Sequence, residues 1–340
     1  MEYQYERLLN LIALCGEYPR KNLGRVSTEA YANLMIKKLL NQGLIESNPN
    51  DPKFDEKLFS YRLTSQGKKY LLEKNPQRYK KLFTGQLDTN RKAKTPSVRS
   101  RLHRIAEAVT MIENTGIEIN PEATSNIRFI FSRELKSSAT IKGSSLIGLI
   151  TTPTDKFSIY NTSDKTSNWR LSTEQRARAI FQTTLPKVQG LGAILIGANL
   201  ETLHKNLTTT NPKQNLKRFI AIYEQMYFVT NDILGEMQIK LLSNAEKQKE
   251  LFTKLLKPYK PKIVNYPMVS DGMTENENPI LNCCLMDIQK LVKFESGLVT
   301  YKKKGMIICF DFQKQFIEGL LGECVEFATV KSKTIKTWLA

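Results

Sequence analysis

Glu134, Leu135 and Lys136 place a carboxylate and an ammonium two residues apart. In that E-x-K spacing the carboxylate can hold Mg2+ while the lysine polarises the attacking water or the phosphate. Such a centre needs a second acid. No aspartate stands on a preceding strand, which leaves Glu107 and Glu118 as the available metal partners. The same triplet also arises readily in a lysine-rich chain as a surface ion pair after a strand, and both readings stay open. Tyr160 is a further nucleophile candidate, or a core residue of its strand. Histidine occurs only at His103 and His204, so the closely spaced histidine pair that holds the metal beside a nucleophilic tyrosine in many DNA-nicking enzymes cannot be assembled. Neither a G-x-x-x-x-G-K-[ST] loop nor a G-x-G-x-x-G fingerprint is present, so ATP and dinucleotide chemistry lack their cradle. Cys15, Cys283, Cys284, Cys309 and Cys324 form no C-x-x-C pair and read as reduced core residues of an intracellular protein.

The elements around these residues begin with "YERLLNLIAL", an apolar helical stripe. Ser27 or Thr28 caps a second helix, in which Tyr31, Leu34, Met35, Leu39 and Leu40 recur at helical spacing. Gly43 stops it. Leu44 and Ile45 then start an extended segment, "SNPNDPKFDEK" turns, and "LFSYRLT" returns as a strand before a helix capped by Ser65. Helix, turn, helix, hairpin, helix resembles the winged helix-turn-helix in the pattern G-[LI]-I…Y-x-L-T-x-x-G, here Gly43 to Ile45 and Tyr61 to Gly67. That resemblance implies DNA binding. Asn33, Lys37 and Lys38 are then expected to face a major groove, opposite the Leu34 and Leu39 stripe, with Lys53 and Arg62 on or beside the hairpin.

Charge sits elsewhere. Residues 1–67 hold nine Lys or Arg against eight Asp or Glu, whereas residues 68–104 hold twelve against two, more than half of the chain's net +18. Lys68, Lys69, Lys80, Lys81, Arg91, Lys92, Arg101 and Arg104 belong to this run, with Tyr70, Tyr79 and Phe83 among them. Such a density attracts phosphates whatever the base sequence, while choice of sequence requires side chains at base edges.

From about Pro96 a new pattern starts. Val98, Leu102, Ile105, Val109 and Ile112 form a helical stripe ended by Gly116. Strand candidates follow at 127, 144, 156 and 192, with a helix from Ser172, then "NLKRFIAIYEQ" as helix and "MYFVT" as strand. Helix, three strands, helix, strand is the outline of many nucleases of the restriction-endonuclease type, and unrelated folds share it. "KPYKPKIVNYPMVSDGMTENENP" reads as a linker, and "MIICFDF", a helix to Gly322 and "CVEFATV" make a last α/β layer.

"RLHRIAEAVTMIENTGIEI", "FIFSRELK" and "GLITTPTDKFSIYNTSDKTSNW" with a following Glu174 are similar to the replication-relaxation family of plasmids and integrative elements in low-GC Gram-positive bacteria. The resemblance spans about residues 5–200. It implies an amino-terminal winged helix joined to an endonuclease-like domain, acting on DNA in plasmid replication, relaxation or conjugative mobilisation, without the histidine pair. Other replication or transfer proteins are the partners it implies, and Mg2+ the cofactor. The alternative is a non-catalytic regulator or assembly protein whose central domain is a degenerate nuclease fold.

Length and 41% apolar content suit a multi-domain α/β protein. The expected division is a winged helix over 1–85, a basic linker over 86–97, an endonuclease-like domain over 98–257, a loop over 258–279 and a carboxy-terminal unit over 280–340. No opening segment reads as a signal peptide, and "GLGAILIGANL" is too short to span a bilayer, so the expectation is a cytoplasmic protein with no membrane partner. Oligomeric state is not legible.

Overall fold

The computed structural model describes residues 2–49, 58–84, 88–93, 95–119, 125–135, 144–165, 168–184, 190–214, 216–263 and 265–339. The chain is mixed α/β and forms two compact units, Met1–Leu135 and Lys136–Ala340.

In the first unit α1 (Glu2–Cys15) buries Leu8, Leu9, Leu11 and Ile12 completely. It ends at Gly16, whose φ of +82° and whose closeness to the Thr89 carbonyl both exclude a side chain. β1 (Tyr18–Pro19) and a 3-10 turn (Arg20–Arg25) lead to α2 (Glu29–Asn41). Gly43, at φ +64°, turns the chain into β2 (Ile45–Asn48), and β3 (Ser60–Leu63) returns antiparallel from Ile45↔Leu63 to Asn48↔Ser60. β1 pairs with the other edge of β3, so the sheet order is β1-β3-β2. α3 (Ser65–Lys74) is capped by Thr64, one residue before the expected Ser65, because the threonine hydroxyl accepts the Gly67 N–H. α4 (Pro76–Phe83) is capped by Asn75 and α5 (Pro96–Asn114) by Thr95. β4 (Arg128–Phe131) is bridged to Glu118.

α5 belongs to this unit, contrary to the expected boundary at residue 98. Its hydrogen bonds explain why. Thr110 Oγ1 meets the Tyr18 hydroxyl at 3.0 Å and Asn22 Nδ2 at 3.2 Å, and Arg7 bonds Glu113 and Asn114. The expected linker is also packed: Thr89 donates to the Ala13 carbonyl and Asn90 is buried.

The second unit holds two sheets. β5 (Gly148–Thr151) and β6 (Asp155–Ser163) form an antiparallel hairpin. β6, β7 (Gly190–Gly197) and β8 (Gln225–Thr230) are parallel neighbours. Parallel pairs need crossovers, which α6 (Leu171–Thr184), then α7 (Leu200–Thr208) with α8 (Leu216–Ile220), supply. The apolar run near 190 is thus a strand, with Ile194, Leu195 and Ile196 fully buried. α9 (Ile233–Leu242) and α10 (Ala245–Leu256) follow.

The second sheet has the order β13-β12-β11-β10-β9. β9 (Lys260–Pro261) and β10 (Gly272–Met273) lie inside the expected linker and pair through Pro261↔Gly272. β11 (Pro279–Asn282), β12 (Gly305–Phe310) and β13 (Val325–Val330) are parallel, crossed by α11 (Ile288–Tyr301) and α12 (Lys314–Leu321). α13 (Ser332–Leu339) closes the chain. The sheets are stitched where Phe228 N donates to the Met286 carbonyl at 3.0 Å. Segment 280–340 is therefore one body with the strands before it. Among the described residues no helix is long and apolar enough to cross a membrane.

Candidate nucleic-acid interface

Helix α2 has a sharply divided circumference. Ala32, Met35, Ile36 and Leu39 are buried, while Ala30, Asn33, Leu34, Lys37, Lys38 and Asn41 are exposed. Leu34, expected in the core, is 64% exposed. At 3.6 residues per turn it lies across the helix from the buried stripe, flanked by Asn33 on one side and Lys38 on the other. A cleft of about 900 Å³ borders one flank, lined by Leu34 itself with Tyr5, Tyr31, Met35, Lys38 and Tyr70. Lys38 Nζ lies 5.0 Å from the Tyr5 ring centre there, a cation–π distance. The other flank opens on a cleft of about 530 Å³ lined by Arg20, Lys21, Glu29, Asn33 and Phe59.

The hairpin is fixed at its loop end, around Asn48 and Ser60, by a buried charge cluster. Glu17, 1% exposed, accepts hydrogen bonds from Asn48 Nδ2, Ser60 Oγ and Arg99 Nε at 3.1, 3.0 and 3.2 Å. His103 Nε2 lies 3.5 Å away. Arg99 also donates to the carbonyls of Asn48, Pro49 and Leu58, and so grips both strands. Burial works to raise the Glu17 carboxyl, but the donors His103, Arg99 and Ser60 and the Arg99 charge together hold it below its ordinary value.

Arg62 is turned inward, against the expectation of an outward hairpin cation. It is 6% exposed and its Nη2 donates to the Asn90 carbonyl at 2.9 Å. Alternation along β3 cannot send it to solvent, because the segment through Asn90 covers that face. Lys53 and Lys136 lie outside the described residues. Lys69, Lys80, Lys81, Arg91 and Lys92 are exposed, and Lys68, Arg101 and Arg104 half-buried. Lys69 pairs with Glu73 one turn on, and Lys68 lies over the Phe83 ring.

Glu107 is 3% exposed and bonded to Lys21 Nζ at 2.7 Å. Glu134 follows β4; burial raises its carboxyl, opposed by the charges of Arg133, Arg128 and Lys81. Among the described residues no group of three or more His, Cys, Asp and Glu is placed to hold a metal ion. In the second unit Tyr160 is 1% exposed, its hydroxyl 2.6 Å from Tyr223 Oη and 3.1 Å from Glu174 Oε2. Glu174 also accepts from Ser144 Oγ and Ser145 N. Burial first, then the neighbouring Tyr223 and Glu174, push the Tyr160 phenol well above its ordinary value.

Sequence reasoning missed Glu17 and Arg99; for His103 it offered a phosphate contact or a buried helix position, and the residue is buried. A signal existed: Arg99, His103, Ala106 and Thr110 recur at spacings of four, three and four, which is one helix face, and all are buried. The expected stripe lies off that face at its start, where Val98 is 46% exposed.

No family model, no curated protein and no solved structure matches this chain.

Proposed function

We propose that the first unit is a winged-helix module reading duplex DNA, with α2 in the major groove, and that the protein acts in replication, relaxation or mobilisation of a bacterial mobile element. The observation that carries the first part is α2 itself. It presents Asn33, Lys37, Lys38 and Asn41 to solvent beside a hairpin in a β1-β3-β2 sheet, and only Glu29, in its first turn, is acidic. Lys80, Lys81, Arg91 and Lys92 add outward cations suited to phosphates. The mobile-element setting rests on the resemblance of residues 5–200 alone. Titration of the intact protein against random and selected duplexes at several salt concentrations tests the reading, with Lys37→Ala/Lys38→Ala narrowing the gap between them. Absence of duplex binding at low salt removes it.

A second reading makes the chain a non-catalytic assembly or regulatory protein with a nuclease-like fold in its β5–β8 region. Its support is that the carboxylates Glu107 and Glu174 are already engaged by the protein's own donors. Mg2+-dependent nicking of supercoiled plasmid, lost in Glu134→Ala and in Lys136→Ala, would decide for catalysis instead.

A further inference from the structure

The exposed face of α2 has an apolar centre, and its surroundings narrow what can cover it. Leu34 stands one helical turn from Lys37 and Lys38 and is 64% exposed. An apolar protein surface laid on that face would have to desolvate both ammonium groups as well, a cost that apolar contact does not repay. A polyanion accepts the lysines at its phosphates and leaves the leucine to meet what lies between them. In the major groove nearly every base-edge group is a hydrogen-bond donor or acceptor, which a leucine would strip of water without replacing its bond. The thymine C5-methyl group is the apolar exception.

Resting on the DNA-reading function proposed above, we infer that Leu34 reads a thymine methyl and so makes α2 selective for a site containing an A·T pair at that position. Asn33 directly precedes it on the same exposed face, and its amide matches the N6 and N7 pattern of adenine. Lys37 and Lys38 set the register on the phosphates or a guanine. The leucine is free for this role because the core of the unit closes without it, on Met35, Ile36 and Leu39.

The test uses the full-length protein and the duplex it selects from a random pool. Replacing each thymine in turn by deoxyuridine removes one methyl group and nothing else. At one or two positions the wild-type affinity falls about fourfold, the worth of one buried methyl. Leu34→Ala, whose folding is checked by circular dichroism, binds thymine and deoxyuridine duplexes equally, and Leu34→Val keeps part of the difference. The inference is overturned if every deoxyuridine duplex binds like its parent, or if Leu34→Ala retains the fourfold ratio. It also falls if Leu34→Ala dissociates a dimer of the chain while leaving that ratio unchanged, since the face is then a protein contact. Failure to select any sequence removes the DNA-reading function as a whole, and that outcome is distinct from selective binding indifferent to the methyl group.

Discussion

Arg99 and Glu17, 82 positions apart in sequence, meet inside the first unit at 3.2 Å, one on α5 and the other between α1 and β1. The pair is almost wholly removed from water, with side-chain exposures of 11% and 1%. Removing Arg99 strips the buried Glu17 carboxylate of its nearest guanidinium and leaves it only the more distant Arg62, 3.9 Å away. Arg99→Met should therefore destabilise the unit by about 3–5 kcal/mol, read from denaturant unfolding followed by far-ultraviolet circular dichroism. A loss below about 1 kcal/mol, the scale of an exposed pair, would contradict the geometry.

The pH dependence has a definite sign. The folded Glu17 carboxyl titrates below its unfolded value, so its contribution is fully present above about pH 4.3 and disappears as pH falls through the folded value. The first unit should lose stability on acidification below that point, and Glu17→Gln should be less stable at neutral pH yet flatter in acid. Parallel acid slopes in the two proteins would show that Glu17 is not the group responsible.

Tyr160→Phe separates structure from chemistry. The substitution removes a hydroxyl that links Glu174 and Tyr223 in the core, leaving partners short of a bond, so the melting transition of the second unit should weaken by about 1–3 kcal/mol. Duplex affinity should stay as it was. A variant equally stable but inactive in plasmid nicking would instead assign the phenol a catalytic part.

Neutralising Lys80, Lys81, Arg91 and Lys92 together should weaken binding to selected and random duplexes by similar factors. The slope of log affinity against log salt should flatten by roughly 0.9 for each phosphate that the variant no longer neutralises. An unchanged slope would take these side chains off the DNA backbone.

Much of the architecture was legible because local signals agreed with it. Gly43 and the apolar pair after it mark the exit of α2, and strands such as β7 are runs too apolar to be anything but buried. The faces were harder. Periodicity told that α2 is amphipathic, but Leu34 and Met35 are adjacent apolar residues and only the packed neighbours decide which turns inward. Arg99 reads as one more member of a solvated basic run; a single distant carboxylate, Glu17, draws it inward. β9 and β10 are two residues long in a Pro- and Asn-rich stretch, below the length at which alternation carries information. The E-x-K triplet is split between a half-buried Glu134 and a lysine outside the described residues.

The hold of α5 on the hairpin also bears on inheritance. If α2 and the hairpin chose the DNA site, recombination that exchanged only residues 1–95 between two such proteins would bring in a foreign Glu17 while keeping the resident Arg99. The incoming segment would then meet a guanidinium fitted to the loop end of another hairpin. Shuffling of target preference is therefore expected to move the whole stretch through α5, or to proceed by substitution at the exposed Asn33, Leu34 and Lys37.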